Sequence, residues 1–176
     1  LGIDAIQVNV QVKISSGNSI FSIVGLGDKA ITESKERIRA AINSVGLSFP
    51  YDRIIVNLSP ADLLKEGSHY DLAITIGILI ELGIITQDSI NNYYCLGELA
   101  LDGSLTKVNG ILPASIQAKA DNYGIICPKQ CGSEAAWAGN EDIIAAQNLT
   151  CIINHLKNQQ LIAQPIINKT TLPPQY

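Results

Sequence analysis

Residues 3–14 alternate between apolar and polar positions. Ile6, Val8, Val10, Val12 and Ile14 share one face, and Gln7, Asn9, Gln11 and Lys13 share the other. A period of two predicts a strand with one wet face, as in an antiparallel sheet. Ser15-Ser16-Gly17-Asn18 reads as a turn. Residues 19–24 predict a returning strand, so the chain is expected to open with a hairpin. Gly25-Leu26-Gly27-Asp28 breaks that strand, with Asp28 the expected N-cap of a helix over 29–45. Ile31, Ser34, Ile38, Ala41, Ile42 and Val45 recur at steps of three and four, which marks the inward stripe of that helix. Its outer face carries Glu33, Lys35, Glu36, Arg37 and Arg39. Glu33 and Arg37 are spaced for a weak i,i+4 pair. Gly46 is the stop.

Residues 53–58 predict the next strand. A change of character follows. Residues 59–70 are polar and turn-rich, and from Asp71 to Leu82 the chain is apolar on almost every side. A helix apolar all round belongs in the middle of a domain. A polar loop feeding its N-terminus is a natural place for a site, because free N–H groups collect there. Beyond Gly83, residues 86–92 read as a polar turn or helical piece. Residues 94–101 and 104–108 flank Asp102-Gly103, a strong hairpin signal. A helix over 112–122 is expected, with Pro113 in its first turn and Ile116, Ala120 and Tyr123 turned inward. A strand at 125–127, a helix at 133–138 carrying Trp137, a strand at 143–145 and a helix at 149–158 complete the pattern. Two hairpins and no regular βαβ alternation predict an α+β layered domain with a mixed sheet. Residues 1–158 read as this domain. Residues 159–176, with Pro165, Pro173 and Pro174, read as a linker.

Composition adds bounds. The 176 residues are 47% hydrophobic and 16% charged, enough for one domain with a sizeable core. The net charge of −4 gives no global attraction to nucleic acid or acidic membranes. No apolar run approaches the roughly 20 residues of a membrane span, no signal peptide opens the chain, and a cytoplasmic protein is expected. A start at Leu1 rather than Met points to a piece of a longer chain. Cys127 and Cys131 are separated by three residues, but no second close pair completes a zinc site. The four cysteines are read as ordinary thiols.

The chemistry candidates cluster in the loop before the apolar helix. Ser68 and His69 are adjacent, yet neighbours in sequence do not generally face each other, and no Gly-x-Ser-x-Gly elbow is present. His69 beside Asp71 offers either a base with an orienting carboxylate or a polar pair capping the helix, where Asp71 would suit the N-terminus. The capping reading is preferred. Lys65 is a general base, a phosphate contact or a solvated turn residue. Gly25-Leu26-Gly27 lacks the glycines and the lysine of nucleotide loops and is read as turn and cap. Glu98, in an otherwise buried strand, requires a partner. Asp102 is explained by its turn. His155, in the last helix, is expected at the surface.

Three separated segments, 21–50, 54–79 and 96–114, resemble in order the N-terminal domain of the ComM/YifB family of bacterial AAA+ proteins, which are Mg-chelatase-like. The resemblance covers residues 1–158. That domain in turn resembles the proteolytic domain of Lon, within the ribosomal-protein-S5 domain-2-like fold. Lon-type proteases place a serine nucleophile in the loop before the central helix and a lysine base in a later segment. Here the serine position falls on His69, with Ser68 one place early, and the lysine position falls on Leu112, which cannot take a proton. Lys107 lies five residues upstream, beyond the Asn109-Gly110 turn. The resemblance therefore implies a non-catalytic accessory domain, with Lys65, Ser68, His69 and Asp71 as a degenerate site. It implies no cofactor in this segment, and ATP and Mg in an AAA+ motor that would follow it in cis. Expected partners are neighbouring subunits of a hexamer, and DNA during natural transformation and recombination. Lys35, Arg37, Arg39 and Lys65 are the candidate nucleic-acid contacts. A residual Ser/His hydrolase and a stand-alone nucleic-acid-binding module are the alternatives.

Overall fold

One helix sits between two unlike β-sheets, and this explains its all-round apolar surface. The structure, a computed structural model, describes residues 7–167. The first four residues of the expected opening strand, and Pro173 and Pro174, lie outside them. Three strands form the first sheet: β1 (Asn9–Ser15), β2 (Ile20–Val24) and, after helix α1 (Asp28–Ser44), β3 (Arg53–Ser59). Their order is β1-β3-β2, with β1 antiparallel and β2 parallel to β3. The expected opening hairpin does not form. Alternation fixes which face of a strand is buried, not which strand lies beside it. The place between β1 and β2 goes to β3, whose Ile54, Val56 and Leu58 are fully buried. Helix α1 begins one residue early: its N-cap is Gly27, and Asp28 stands in the first turn, where its charge suits the helix dipole. Gly46, at φ +85, follows the C-cap as expected.

Helix α2 (Asp71–Glu81) crosses this sheet. Its Ile74 and Ile78 join Ile38, Ile54 and Val56 in one core, while Leu72, Ile76 and Leu79 join Ile126 and Ile144 in another. Gly77 is where α2 meets β1, since a Cβ there would stand 2.5 Å from Val12 Cγ2.

The second half is parallel. After a short 3₁₀ turn at Gln87–Ile90 come β4 (Tyr93–Cys95), the small antiparallel pair β5 (Glu98–Leu99) and β6 (Leu105–Thr106), then α3 (Ile111–Ala120), β7 (Gly124–Pro128), α4 (Gly132–Trp137), β8 (Ile143–Ala146) and α5 (Leu149–Leu156). The sheet order is β4-β7-β8, every pair parallel. The fold is thus α+β, with one mixed sheet and one parallel sheet. The expected single strand over 94–101 is divided. Its first part runs beside β7, and the chain turns at Leu96-Gly97, where Leu72 N donates to Gly97 O at 3.1 Å. Only β5 enters the hairpin around Asp102-Gly103.

Helix α3 turns a different face inward than expected. Ile111, Ala114, Ser115 and Ala118 are buried, whereas Ile116 is 52% exposed and Ala120 is exposed. The small residues let α3 approach α4, and Ser115 Oγ donates to Ala135 O at 2.8 Å. Close packing of small side chains outweighs one larger side chain left in water. His155 is half-buried rather than at the surface, and its Nδ1 accepts from Ile162 N at 2.9 Å. Residues 159–167 run back over the domain. There the Gln164 amide exchanges two hydrogen bonds with the backbone of Ile143, at 2.9 and 3.1 Å. No helix among the described residues is long and apolar enough to cross a membrane.

Candidate functional site

The loop between β3 and α2 folds around Lys65. A lysine in a turn is usually solvated, but this one is 2% exposed. A buried ammonium requires hydrogen-bond acceptors, and the loop supplies its own. Lys65 Nζ donates to Pro60 O, at the cis Ser59–Pro60 bond, and to Leu63 O at 2.9 Å. The Lys65 carbonyl accepts from Gly27 N at 3.4 Å, joining the loop to the start of α1. Lys65 is therefore a brace within the loop, its ammonium held by two backbone carbonyls.

Asp71, the first residue of α2, is fully buried. Its carboxylate does not meet His69. Oδ1 accepts from Ser34 Oγ at 2.7 Å and from an Arg37 terminal nitrogen at 3.1 Å. Oδ2 accepts from Arg37 Nε at 2.6 Å and from Leu99 N at 3.2 Å. Arg37 also donates to Ser34 Oγ at 3.1 Å, and it stands 3.8 Å from Glu33 at the anticipated i,i+4 spacing. The hydrogen bond to Asp71 holds the Arg37 guanidinium pKa above its ordinary value, with smaller contributions from Asp71, Glu98 and Glu33 as charges. One buried carboxylate thus ties α1, α2 and β5 together. Ser34 carried the signal for this in the sequence: a hydroxyl in an otherwise apolar inward stripe.

Ser68 and His69 diverge. Ser68 opens onto a cavity of about 510 Å³ beside Gly27, Glu33, Arg37 and Glu98. His69 lines a different groove, with Tyr70, on the other side of the α2 N-terminus. Among the described residues no group hydrogen-bonds the His69 ring, which packs on the Tyr70 ring at 4.1 Å between centroids. Nucleophilic catalysis requires nucleophile and base within hydrogen-bond reach and the base oriented by a third group; here neither condition holds. Burial pushes the His69 pKa below its ordinary value, outweighing the attraction of Asp71. A lowered pKa means that the unfolded chain takes up a proton before the native one. His69 therefore costs no stability above about pH 6.5 and progressively more as the pH falls below it. Urea unfolding from about pH 7 to about pH 5 should show a smaller loss of stability in His69→Gln than in the parent. An equal loss in both would show that His69 carries none of it.

The remaining candidates lie elsewhere. Lys35 Nζ stands 6.0 Å from the Phe21 ring centre, and the Arg39 guanidinium carbon stands 4.8 Å from that of Phe49. Both are spread over aromatic faces on the outside of α1, where such contacts hold a cation in place. Arg37, between them in sequence, is turned inward to Asp71. Lys107 is exposed beyond β6, and Leu112 lies in the first turn of α3. Burial pushes the Cys127 and Cys131 thiols upward, so neither is primed for attack.

All of these positions except His155 and the tail fall within residues 10–131, the part of the chain that matches the family model described as subunit ChlI of Mg-chelatase. The chain is also 35% identical over 160 residues to competence protein ComM of Haemophilus influenzae, covering 91% of this chain and 31% of that protein. It is 33% identical to YifB of Escherichia coli, covering 94% of this chain and 33% of YifB. An uncharacterized Mycobacterium bovis protein is 34% identical over 98% of this chain and 34% of its own length.

The chain belongs to the ComM/YifB family.

It spans about a third of the length of the ComM and YifB relatives it matches. Within this ComM-type segment the Asp71 network is the feature that sequence reasoning assigned to the wrong partner. Asp71 follows His69 by two residues, but the first turn of α2 directs its carboxylate at α1.

Proposed function

We propose that this segment is a non-catalytic accessory domain of Lon-proteolytic-domain-like, ribosomal-protein-S5 domain-2-like fold. It stands ahead of the ATPase motor of a ComM-type AAA+ protein that drives DNA branch migration in natural transformation and recombination. The motor binds ATP and Mg and forms a cytoplasmic, hexameric ring, and this domain contributes contacts to neighbouring subunits and to DNA. The competence name of the Haemophilus relative and the third of each relative that the chain covers support this place in a larger protein. Against residual hydrolysis stands one observation above the others. Both oxygens of Asp71 are occupied by Ser34, Arg37 and the Leu99 amide, so this carboxylate does not orient His69. Lys65, the only lysine in the loop, is likewise committed to carbonyls.

Incubation of the chain with unfolded casein tests the hydrolase alternative. We expect no cleavage. Cleavage that disappears in Ser68→Ala or His69→Ala would replace the accessory reading with an enzymatic one.

A further inference from the structure

The groove that His69 lines has a second character, independent of the catalytic question. It measures about 860 Å³ and runs between the two sheets over the floor of α2, where Ala73, Gly77 and Ile80 face it. One wall is formed by residues 7–12 and the other by residues 93–96, each an unbroken run. A sheet face presents every second residue, because side chains alternate. Consecutive residues along one wall are what a strand edge facing the groove presents. The pairing agrees. Among the described residues β1 and β4 are the end strands of their sheets, with β3 and β7 on their other sides. On β4 the direction of the ladder is explicit. Gly124 N donates to Asn92 O and Leu96 N donates to Ile126 O, so the even-numbered residues face β7. The N–H and C=O groups of Tyr93 and Cys95 then point toward the groove.

The lining selects the ligand class. Glu81 is the single Asp, Glu, Lys or Arg among the lining residues, so a phosphate backbone finds no cation there. Seven lining residues are Asn or Gln; Gln11, Gln87, Asn91 and Gln117 already bond other side chains, and the donors and acceptors that their carboxamides keep, with those of Gln7, Asn9 and Asn109, match peptide groups. Two open strand edges, carboxamide walls and an apolar floor suit an extended polypeptide that adds as a strand.

We propose that this groove binds an extended polypeptide segment of about six residues, pairing along the free edge of β1 with the β4 edge as the opposite wall. Its alternate side chains rest on Ala73, Gly77 and Ile80. The inference does not rest on the ATPase reading.

The test uses a fluorescein-labelled peptide of alternating Val and Thr with a Lys at each end, titrated with this chain and followed by anisotropy. A second peptide carries N-methyl groups on the alternate amides of one edge, which removes backbone donors and leaves the side chains unchanged. We expect saturable binding of the first peptide and affinity lower by about tenfold or more for the second, as loss of two or more hydrogen bonds requires. Ala73→Phe, which fills the floor at a groove-facing position, should abolish binding while urea unfolding shows that it folds. Amide exchange at Tyr93 and Cys95 should slow when the peptide binds. No saturation at about 1 mM protein, or equal binding of both peptides, would overturn the proposal. So would protection of Tyr93 and Cys95 in the free protein, which would mean that the chain itself or a second copy already fills the groove.

Discussion

Asp71→Ala should destabilise the domain by about 3–5 kcal/mol, the usual cost of removing one partner of a buried ion pair. Truncation leaves three donors facing a void: the Ser34 hydroxyl, the Leu99 amide and the Arg37 guanidinium. The guanidinium dominates, because its side chain is only 19% exposed and its nearest remaining carboxylate would be the exposed Glu33 at 3.8 Å. A domain of this size is stable by about 5–15 kcal/mol, so this one substitution brings it close to unfolding. Urea denaturation gives the measurement. The double variant Arg37→Met with Asp71→Leu separates the charge from the shape. It removes both partners and should recover much of the loss, since replacing a buried pair by apolar groups is often neutral. A loss below about 1 kcal/mol for Asp71→Ala would show that the pair does not hold α1, α2 and β5 together.

Gly25→Ala is the second large effect. Gly25 sits at φ +98, a conformation that costs an L side chain about 1–3 kcal/mol. A Cβ there would also stand 2.3 Å from Leu58 O and 3.2 Å from Lys65 Cε. The oxygen belongs to the backbone of the central strand β3 and cannot move aside without disturbing its pairing. Overpacking adds about 1–3 kcal/mol, so the sum is about 2–6 kcal/mol, measured by the same denaturation. Gly17→Ala is the control. Its φ is also positive, at +146, but a Cβ there meets nothing within 4 Å. If the two variants lose equal stability, backbone strain alone matters at Gly25, and its close approach to β3 and the Lys65 loop contributes nothing.

Periodicity carried the reading of α1 and an all-round apolar run that of α2, and each helix has a glycine, Gly46 or Gly83, just beyond its end. It failed where two arrangements satisfy the same pattern. β1 and β2 bury the same face whether they pair with each other or flank β3, and the intervening turn was read as a connection between neighbours. The run over 94–101 is apolar apart from Glu98, and a lone Gly97 is too weak a signal to mark the point where it leaves β4 for β5. On α3, Ile116 suggested the wrong face, because hydrophobicity ignores the close approach that Ala114, Ser115 and Ala118 permit. The candidate site divided along the same line. Ser68, His69 and Asp71 were legible as a polar cluster at a helix N-terminus. Which way each side chain points depends on the first turn of α2, and it sends Ser68, His69 and Asp71 in three different directions. Lys65 was legible as a lysine in a turn, but its burial depends on the Pro60 and Leu63 carbonyls that the folded loop brings around it.

We propose above that this domain serves a ComM-type motor without chemistry of its own. The most direct measurement is ATP-driven branch migration of a labelled four-way DNA junction by the full-length protein. The proteins compared are the parent, the double variant Ser68→Ala with His69→Ala, and a form lacking residues 1–158. We expect the double variant to match the parent within about twofold, a difference under ~0.5 kcal/mol. We expect the truncated form to lose migration along with subunit assembly. Loss of migration in the double variant, with its folding and assembly intact, would contradict the account by assigning chemistry to the loop.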